Sequence, residues 1–323
     1  MKARFFFAAF LMCVVAIPAL SYGQVVYPNK PIQIFIGMAP GGSLDVLVRT
    51  LAQEAKRYLG QEVVCVNKPG AAGSVAAALV ATAKPDGYTL GASPSSTFTV
   101  TPFFQDLNVD LIRENTSILS FAKFDVVVFV KPDSPIKTLR DFIEYAKQNP
   151  GKATYGTPGT GTRAHLAMGA IAAQEGIKIN HVPFPGDMPT ATAVLGGHIM
   201  AGGCSPAGPI SHFQAGTLRL ITVIGDERMD LFPNVPTSVE LGYPHPLPVV
   251  HFLHGPKGLP ESIVKKLEDA FEKASQSPIF TEVATKNVLY SKKHLFREEL
   301  TGFLLNERTK TGDLIQKLGL AKK

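Results

Sequence analysis

An α/β fold with parallel sheets is what the sequence predicts, and three observations predict it. Short β-branched runs alternate with amphipathic stretches of roughly 10–15 residues, Gly/Pro turns separate them, and no fixed short period repeats. The length, 323 residues, corresponds to about two domains at ~100–200 residues each. Hydrophobic residues make up 45% of the chain, which excludes a disordered protein.

The elements follow in order. Ile32 to Ile36 is a short apolar run broken by Ala39-Pro40-Gly41-Gly42. Ser43 is expected to N-cap a helix whose apolar face is Leu44, Leu47, Val48, Leu51, Ala55 and Leu59, closed by Gly60. Val63 to Val66 reads as the next strand, and a Gly/Ala-rich helix follows from about Ser74 to Ala83. Pro85-Asp86-Gly87 turns the chain into a strand over Tyr88 to Ala92. Asp125 to Val130 is a strongly β-branched strand, and Leu139 to Gln148 a helix ended by Asn149-Pro150-Gly151. Ala153 to Gly156 is a strand, and Thr162 to Gln174 a helix that stops at Gly176. Ile179–Val182, Ile199–Cys204 and Leu218–Ile224 continue the strand series. Pro260 stands in the first turn of a helix bearing Ile263, Leu267, Ala270, Phe271 and Ala274. A final helix runs from about Ser291, with Leu300, Phe303 and Leu304 inside.

The first 23 residues read as an export signal. Lys2 and Arg4 form a positive start, Phe5 to Leu20 an apolar stretch broken by Pro18, and small residues place cleavage after Ser21 or Gly23. Beyond it, no run is long and apolar enough to cross a membrane. The formal charge is +6, about +4 once Lys2 and Arg4 are gone, and it is spread without a basic run. Nucleic-acid binding is therefore not expected. Cys65 and Cys204 remain in the mature chain; each lies in an apolar stretch and reads as a small buried hydrophobe, although an oxidising compartment would let them pair.

Two segments share one physical design. Ala39-Pro-Gly-Gly-Ser-Leu-Asp45 and Gly156-Thr-Pro-Gly-Thr-Gly-Thr162 each set a Gly/Ser/Thr turn between a strand and a helix start. Such loops offer free N–H groups, hydroxyls and a positive helix end, which bind anions without Lys or Arg. One loop alone is ordinary turn chemistry. Two, one in each expected domain, point to an anion held between domains.

Enzyme signatures are weaker. Gly156 and Gly161 have phosphate-loop spacing, but Thr162-Arg163 stand where Lys-Ser/Thr belongs, and no Gly-x-Ser-x-Gly elbow occurs. His245, His251 and His254 lack a nearby carboxylate or Cys and read as packing or pocket-lining residues rather than a metal site. Asp86 and Asp187 read as turn residues.

Ordered motifs then carry a resemblance. Tyr27-Pro-Asn-Lys-Pro-Ile32, the Ala39–Asp45 loop, Leu59-Gly-Gln-Glu-Val-Val64, Val66-Asn-Lys-Pro-Gly-Ala71 and Lys84-Pro-Asp-Gly-Tyr-Thr-Leu90 resemble the first half of receptors of the tripartite tricarboxylate transporter (Bug) family. Tyr155-Gly-Thr-Pro-Gly-Thr-Gly161 with His165-Leu166, His181-Val-Pro-Phe-Pro-Gly186, Leu195-Gly-Gly-His-Ile199 and Phe232-Pro-Asn-Val-Pro-Thr237 with Glu240 and Gly242 match the rest, and Glu307 falls where the last helix usually carries Glu.

The resemblance implies a two-lobed periplasmic-binding-protein (flytrap) fold, each lobe a mostly parallel sheet flanked by helices. It implies lobe 1 at residues 24–124 plus 250–323 and lobe 2 at 125–249. One end of a carboxylate ligand would meet Gly41, Gly42, Ser43 and the neighbourhood of Asp45, with Ser93, Ser95, Ser96 and Thr97 adding hydroxyls. Thr157, Gly159, Thr160, Gly161 and Thr162 would receive the other end. Asp45 itself reads as shaping the loop, because like charges repel. The family often has Tyr-Lys-Gly where Phe184-Pro185-Gly186 stand, and an acidic residue in the strand that here has Met200 and Ala201. These departures argue for a ligand without an ammonium group and for a more apolar, aromatic-tolerant pocket near Phe184, Met200, His251 and Phe252, unless those residues only fill the core. The expectation is an exported, non-catalytic, monomeric receptor that needs no cofactor or metal. It would bind a di- or tricarboxylate or an aromatic carboxylate and serve an integral-membrane permease. A carboxylate sensor for a signalling partner and an exported serine hydrolase are the alternatives.

Overall fold

The computed structural model describes residues 27–243, 248–289 and 293–320. The export-signal reading, His245 and the helix start expected near Ser291 lie outside these residues.

Alternation of helix and strand dictates the chain path. β1 (Ile32–Ile36) buries every second side chain, and α1 (Ser43–Leu59) returns the chain to β2 (Val63–Asn67). All six apolar α1 positions expected from the 3/4 spacing are buried. Next come α2 (Ser74–Ala81), β3 (Thr89–Pro94), α3 (Ser95–Thr99) and β4 (Asn115–Phe124). After Asp125 alone, β5 (Val126–Val130) begins, followed by α4 (Leu139–Gln148), β6 (Thr154–Thr157), α5 (Arg163–Glu175) and β7 (Asn180–Pro183). Then come α6 (Asp187–Leu195), β8 (Ala201–Cys204), α7 (Ile210–Gln214) and β9 (Arg219–Ile224). β10 (Val249–Pro256), α8 (Glu261–Ser275), α9 (Pro278–Lys286) and α10 (Arg297–Lys317) complete the chain.

Among the described residues these strands form two five-stranded sheets, ordered β2-β1-β3-β10-β4 and β7-β6-β8-β5-β9. In each, four strands point one way and one is reversed: β10 runs antiparallel to β3 and β4, and β5 antiparallel to β8 and β9. The reversed strands are the ones the chain enters on changing sheets. β4 and β10 were not among the strands read from the sequence. The sheets are therefore mostly parallel with one internal reversal, and helices flank both. The two connections run side by side, since Val249 pairs with Phe124 at the end of the first sheet and Val126 with Ile224 in the second.

Cys204 is buried on β8, and Cys65 is half-buried on β2; neither is bridged. β10 crosses the first lobe fully buried and carries two histidines inside it. His254 lies so close over Gly91 that a Cβ there would come within 2.3 Å of the imidazole. Its Nδ1 meets Asn115 Oδ1 at 2.9 Å and its Nε2 meets Ser93 Oγ at 3.0 Å. His251 packs edge-on against Phe124, with ring centroids 4.9 Å apart. Burial pushes both imidazoles down to about 3.

An unfolded histidine titrates near ~6.5, so the folded state binds fewer protons over the acid range. The stability contributed by these two neutral rings is complete above about pH 6.5 and is lost as pH falls from there toward 3, by about 1.4 kcal/mol per ring per pH unit. The melting temperature should therefore fall steeply between pH 6.5 and 5. His254→Gln should flatten that slope, and thermal melts of both proteins across this range check it.

Candidate functional site

The turn out of β1 is shaped from within. Gly41 adopts φ +81°, a conformation that costs glycine little. Its N–H donates to Asp45 Oδ2 at 3.0 Å, while Asp45 Oδ1 accepts from Arg49 Nε and Asn67 Nδ2, each at 2.9 Å. Burial opposes the charge of Asp45, but these donors outweigh it and hold its carboxyl below the usual carboxylate range. Asp45 thus fixes the loop.

At the start of α1 the structure departs from expectation. Gly42, not Ser43, is the N-cap. Ser43 is the first helical residue, and its N–H and Oγ both donate to Asp187 Oδ2, at 3.0 and 2.9 Å. Asp187 is no turn residue: it opens α6 from the other lobe, is buried, and is also held by the Ser205 backbone. Burial pushes its carboxyl up, and the bonds from Ser43 and Ser205 oppose that rise. A protein carboxylate therefore occupies the positive end of α1.

The second loop has a matching construction. Gly159 and Gly161 take φ of +143° and +86°. Thr162 caps α5, its Oγ1 accepting the His165 N–H at 3.3 Å and donating to Gly159 O at 2.9 Å. Gly161 N–H donates to His165 Nδ1 at 3.2 Å, and burial pushes that imidazole down to about 4. Thr157 Oγ1 donates to Gly159 O at 3.0 Å and lies 2.7 Å from His181 Nε2.

The two lobes meet across the cleft. Ala39 N–H donates to Pro185 O at 3.0 Å, Thr101 Oγ1 to Gly161 O at 3.1 Å, and Gln105 Nε2 to Thr160 O. A Cβ on Gly161 would stand 2.7 Å from Thr101 Cα. The strongest tie is Arg163, in the first turn of α5 and 1% exposed. Its Nη2 pairs with Glu307 Oε2 at 2.7 Å and Thr99 Oγ1 at 3.2 Å, and its Nη1 with Thr311 Oγ1 at 3.0 Å. Burial lowers the affinity of this guanidinium for its proton, and Glu307 offsets only part of that fall. Sequence reading placed Glu307 by resemblance only and treated Arg163 as a mismatch to a phosphate loop.

Two cavities lie in the cleft. An inner chamber of about 50 Å³ is bordered by Ser43 and Leu44 of α1, Thr162, Arg163 and Ala164 of α5, and Ser96, Asp187, Ser205 and His251. An outer chamber of about 440 Å³ lies against Gly70–Gly73, Gln105, Gly159, Thr160 and Phe184. Met38 and Pro158 border both. The segment at Gly70–Gly73 holds Ala71 and Ala72 at φ +47° and +53°, with Ala72 O accepting from Thr97 Oγ1 at 2.7 Å. In the sequence only Val66–Ala71 was singled out, as a motif of the resemblance.

Of the expected residues, Ser43, Ser96, Thr162, Gly159, Thr160 and Phe184 border these chambers. Others have different partners. Ser93 turns to His254, Ser95 Oγ accepts the Val250 N–H at 3.2 Å, and Thr97 bonds Ala72. Gly41, Gly42, Thr157, Gly161 and Ala201 border neither chamber: the first four shape the loops, and Ala201 is buried where β8 pairs with β5 and β6. Met200 packs against the core. Ser93, His254 and Asn115 form a chain of the kind that activates a nucleophile. Ser93 and His254 are fully buried, however, and border neither chamber, so the chain ties β3 to β10.

Comparison with known proteins adds the family context. The model of the "Tripartite tricarboxylate transporter family receptor" matches residues 47–320. A protein of Cupriavidus necator, "UPF0065 protein in gbd 5'region", is 38% identical over 92% of this chain and 90% of its own length. "Protein BugT" of Bordetella pertussis is 30% identical over 79% of each chain. A solved "periplasmic transporter" superposes with TM-score 0.84 at 34% identity, covering 90% of this chain and 98% of that one. The periplasmic binding protein BugD has the same fold, with TM-score 0.87 at 24% identity over 92% of this chain and 100% of its own.

Removing one partner of a buried pair strands a charge, at about 3–5 kcal/mol. Glu307→Gln should therefore loosen the contact between the lobes while each stays folded. Small-angle scattering should show a larger radius of gyration with unchanged circular dichroism. Arg163→Met combined with Glu307→Leu should return toward the wild-type dimension, because no buried charge is left unpaired.

Proposed function

The chain belongs to the tripartite tricarboxylate transporter receptor family, and we propose that it is a non-catalytic periplasmic receptor that captures a small organic carboxylate between its lobes and delivers it to an integral-membrane permease. One observation carries this reading: the N-termini of α1 and α5 converge on the same buried chamber. Each helix end contributes roughly half a positive charge; the Asp187 carboxylate meets that of α1, and the α5 end, with N–H groups that have no partner inside the helix, is left for a ligand. Hydrogen bonds to a desolvated carboxylate are worth about 1.5–3 kcal/mol each, before the costs of ordering and association.

Residues 24–124 with 250–323 act as one lobe and 125–249 as the other, and the paired connections at Asp125 and Val249 are the hinge. Closure shields the bound acid and creates the surface the permease reads. Residues 1–23 direct export and are removed after Ser21 or Gly23. Among proteins of the same fold, one is described with bound malate and another with adipate, and a carboxylate is the ligand type that the donors in this cleft suit.

The test uses a dye-based melt, because the chain has no Trp. Mature protein is denatured to strip ligand, refolded and melted against a panel of free acids and their esters. An acid at about 100 times its dissociation constant adds roughly 2.7 kcal/mol, which is a shift of several degrees. Acids should shift the melt and esters should stay intact; ester cleavage would sink the receptor reading. Gly161→Val should abolish the shift, because its side chain would press on Thr101 Cα, 2.7 Å from the new Cβ, and wedge the cleft open. Isothermal titration of the folded variant with the same acid checks that outcome.

A further inference from the structure

Resting on the receptor reading, we propose that the ligand is a monocarboxylate with an uncharged tail, its carboxylate in the inner chamber beside Arg163 and its tail in the outer chamber against Phe184. Four observations converge on this class. First, the lobe-1 anion position is taken: Ser43 N–H and Oγ at the start of α1 already serve the Asp187 carboxylate. Two helix ends face the cleft, and the protein itself supplies the anion for one of them.

Second, two residues that border the inner chamber, Arg163 and His251, each keep a buried nitrogen without a hydrogen-bond partner. Arg163 spends both Nη atoms on Glu307, Thr99 and Thr311, leaving Nε–H unpaired. His251 Nδ1 is likewise unpaired, on a ring that burial keeps neutral. An unmet buried donor is costly, and a carboxylate beside Arg163 and His251 offers an acceptor to Nε–H and, when its proton sits on Nδ1, to the imidazole. The chamber thus has donors for one carboxylate.

Third, size agrees. A water needs ~10–15 Å³ of such space, so a chamber of about 50 Å³ admits a few water-sized groups. That is one carboxylate with its attachment point, not a branched triacid.

Fourth, the outer chamber, at about 440 Å³, is bordered by glycines, prolines, alanines, Met38, Gln105, Thr160 and Phe184, with no ionisable side chain. A second carboxylate there would lose water with no cation to meet it. A flat or extended apolar tail would lie against Phe184 and the proline faces.

The experiment compares matched acids that differ by one carboxylate, using refolded mature protein and isothermal titration: benzoate with terephthalate, and hexanoate with adipate, with citrate added. The expected result is at least tenfold tighter binding of the monoacid in one or both pairs, with no heat from benzamide or hexanamide. Gln105→Lys keeps a donor for Thr160 O and puts an ammonium in the outer chamber, so it should narrow or reverse the preference. A diacid or citrate that binds wild type as tightly as the tighter-binding monoacid overturns the substrate class and leaves the receptor reading standing. If no acid of either kind binds a folded protein, the receptor reading falls and the substrate class with it.

Discussion

A buried guanidinium sets the geometry of this cleft. Arg163 leaves the first turn of α5 and delivers its charge to Glu307 on α10 of the opposite lobe. Taking an ion out of water costs several kcal/mol even after relaxation, and only close pairing with well-aimed hydrogen bonds recovers it. Here the recovery needs Glu307, Thr99 and Thr311, all outside the lobe that bears Arg163. The charge is therefore compensated only while the two lobes stay in contact. The glycines at 159 and 161 permit it, because the lobe-2 loop passes within contact of Ala72 and Thr101, where side chains would hold the backbones apart.

Topology explains why such ties can form without fusing the lobes. Each sheet reverses one strand, and those strands are where the chain crosses. The first crossing has a single residue, Asp125, between β4 and β5. α10 adds a third link from the far side of the cleft: it packs along β4 and α3, while Leu320 beyond its end approaches Gly169 of α5.

Much of this was legible in the sequence, and the misses have physical causes. The apolar face of α1, the Gly60 stop and the strand at Val126–Val130 follow from periodicity and turn chemistry, which are local signals. β4 and β10 were not read: Asn115–Phe124 interleaves Ser, Thr, Ala and Lys, and Val249–Pro256 is interrupted by His251 and His254. Their burial comes from neighbours in the sheet rather than from their own pattern. The two anion-type loops were legible as Gly/Ser/Thr turns, and the structure brings both to one cleft. Which donors remain for a ligand was not legible. Asp187 lies 144 residues from Ser43 and Arg163 lies 144 from Glu307, and nothing local announces either pairing. Ser93, Ser95 and Thr97 belong to the same hydroxyl-rich stretch as Ser96, yet one residue of rotation along a strand or helix turns a side chain from cleft to core.

Asp187 gives the cleft its asymmetry. Without it, closure would bury the Ser43 N–H and hydroxyl unpaired, at about 1–3 kcal/mol per group. With it, the α1 end is satisfied whether or not a ligand is present, although burial pushes the Asp187 carboxyl up as the cost of that service. Arg163 and His251, which border the inner chamber, each keep a buried nitrogen without a partner, Nε and Nδ1. If the ligand proposed above sits beside Arg163, the guanidinium that ties the lobes together also faces that ligand, and occupancy is coupled to shape by direct contact, with no relay through the core.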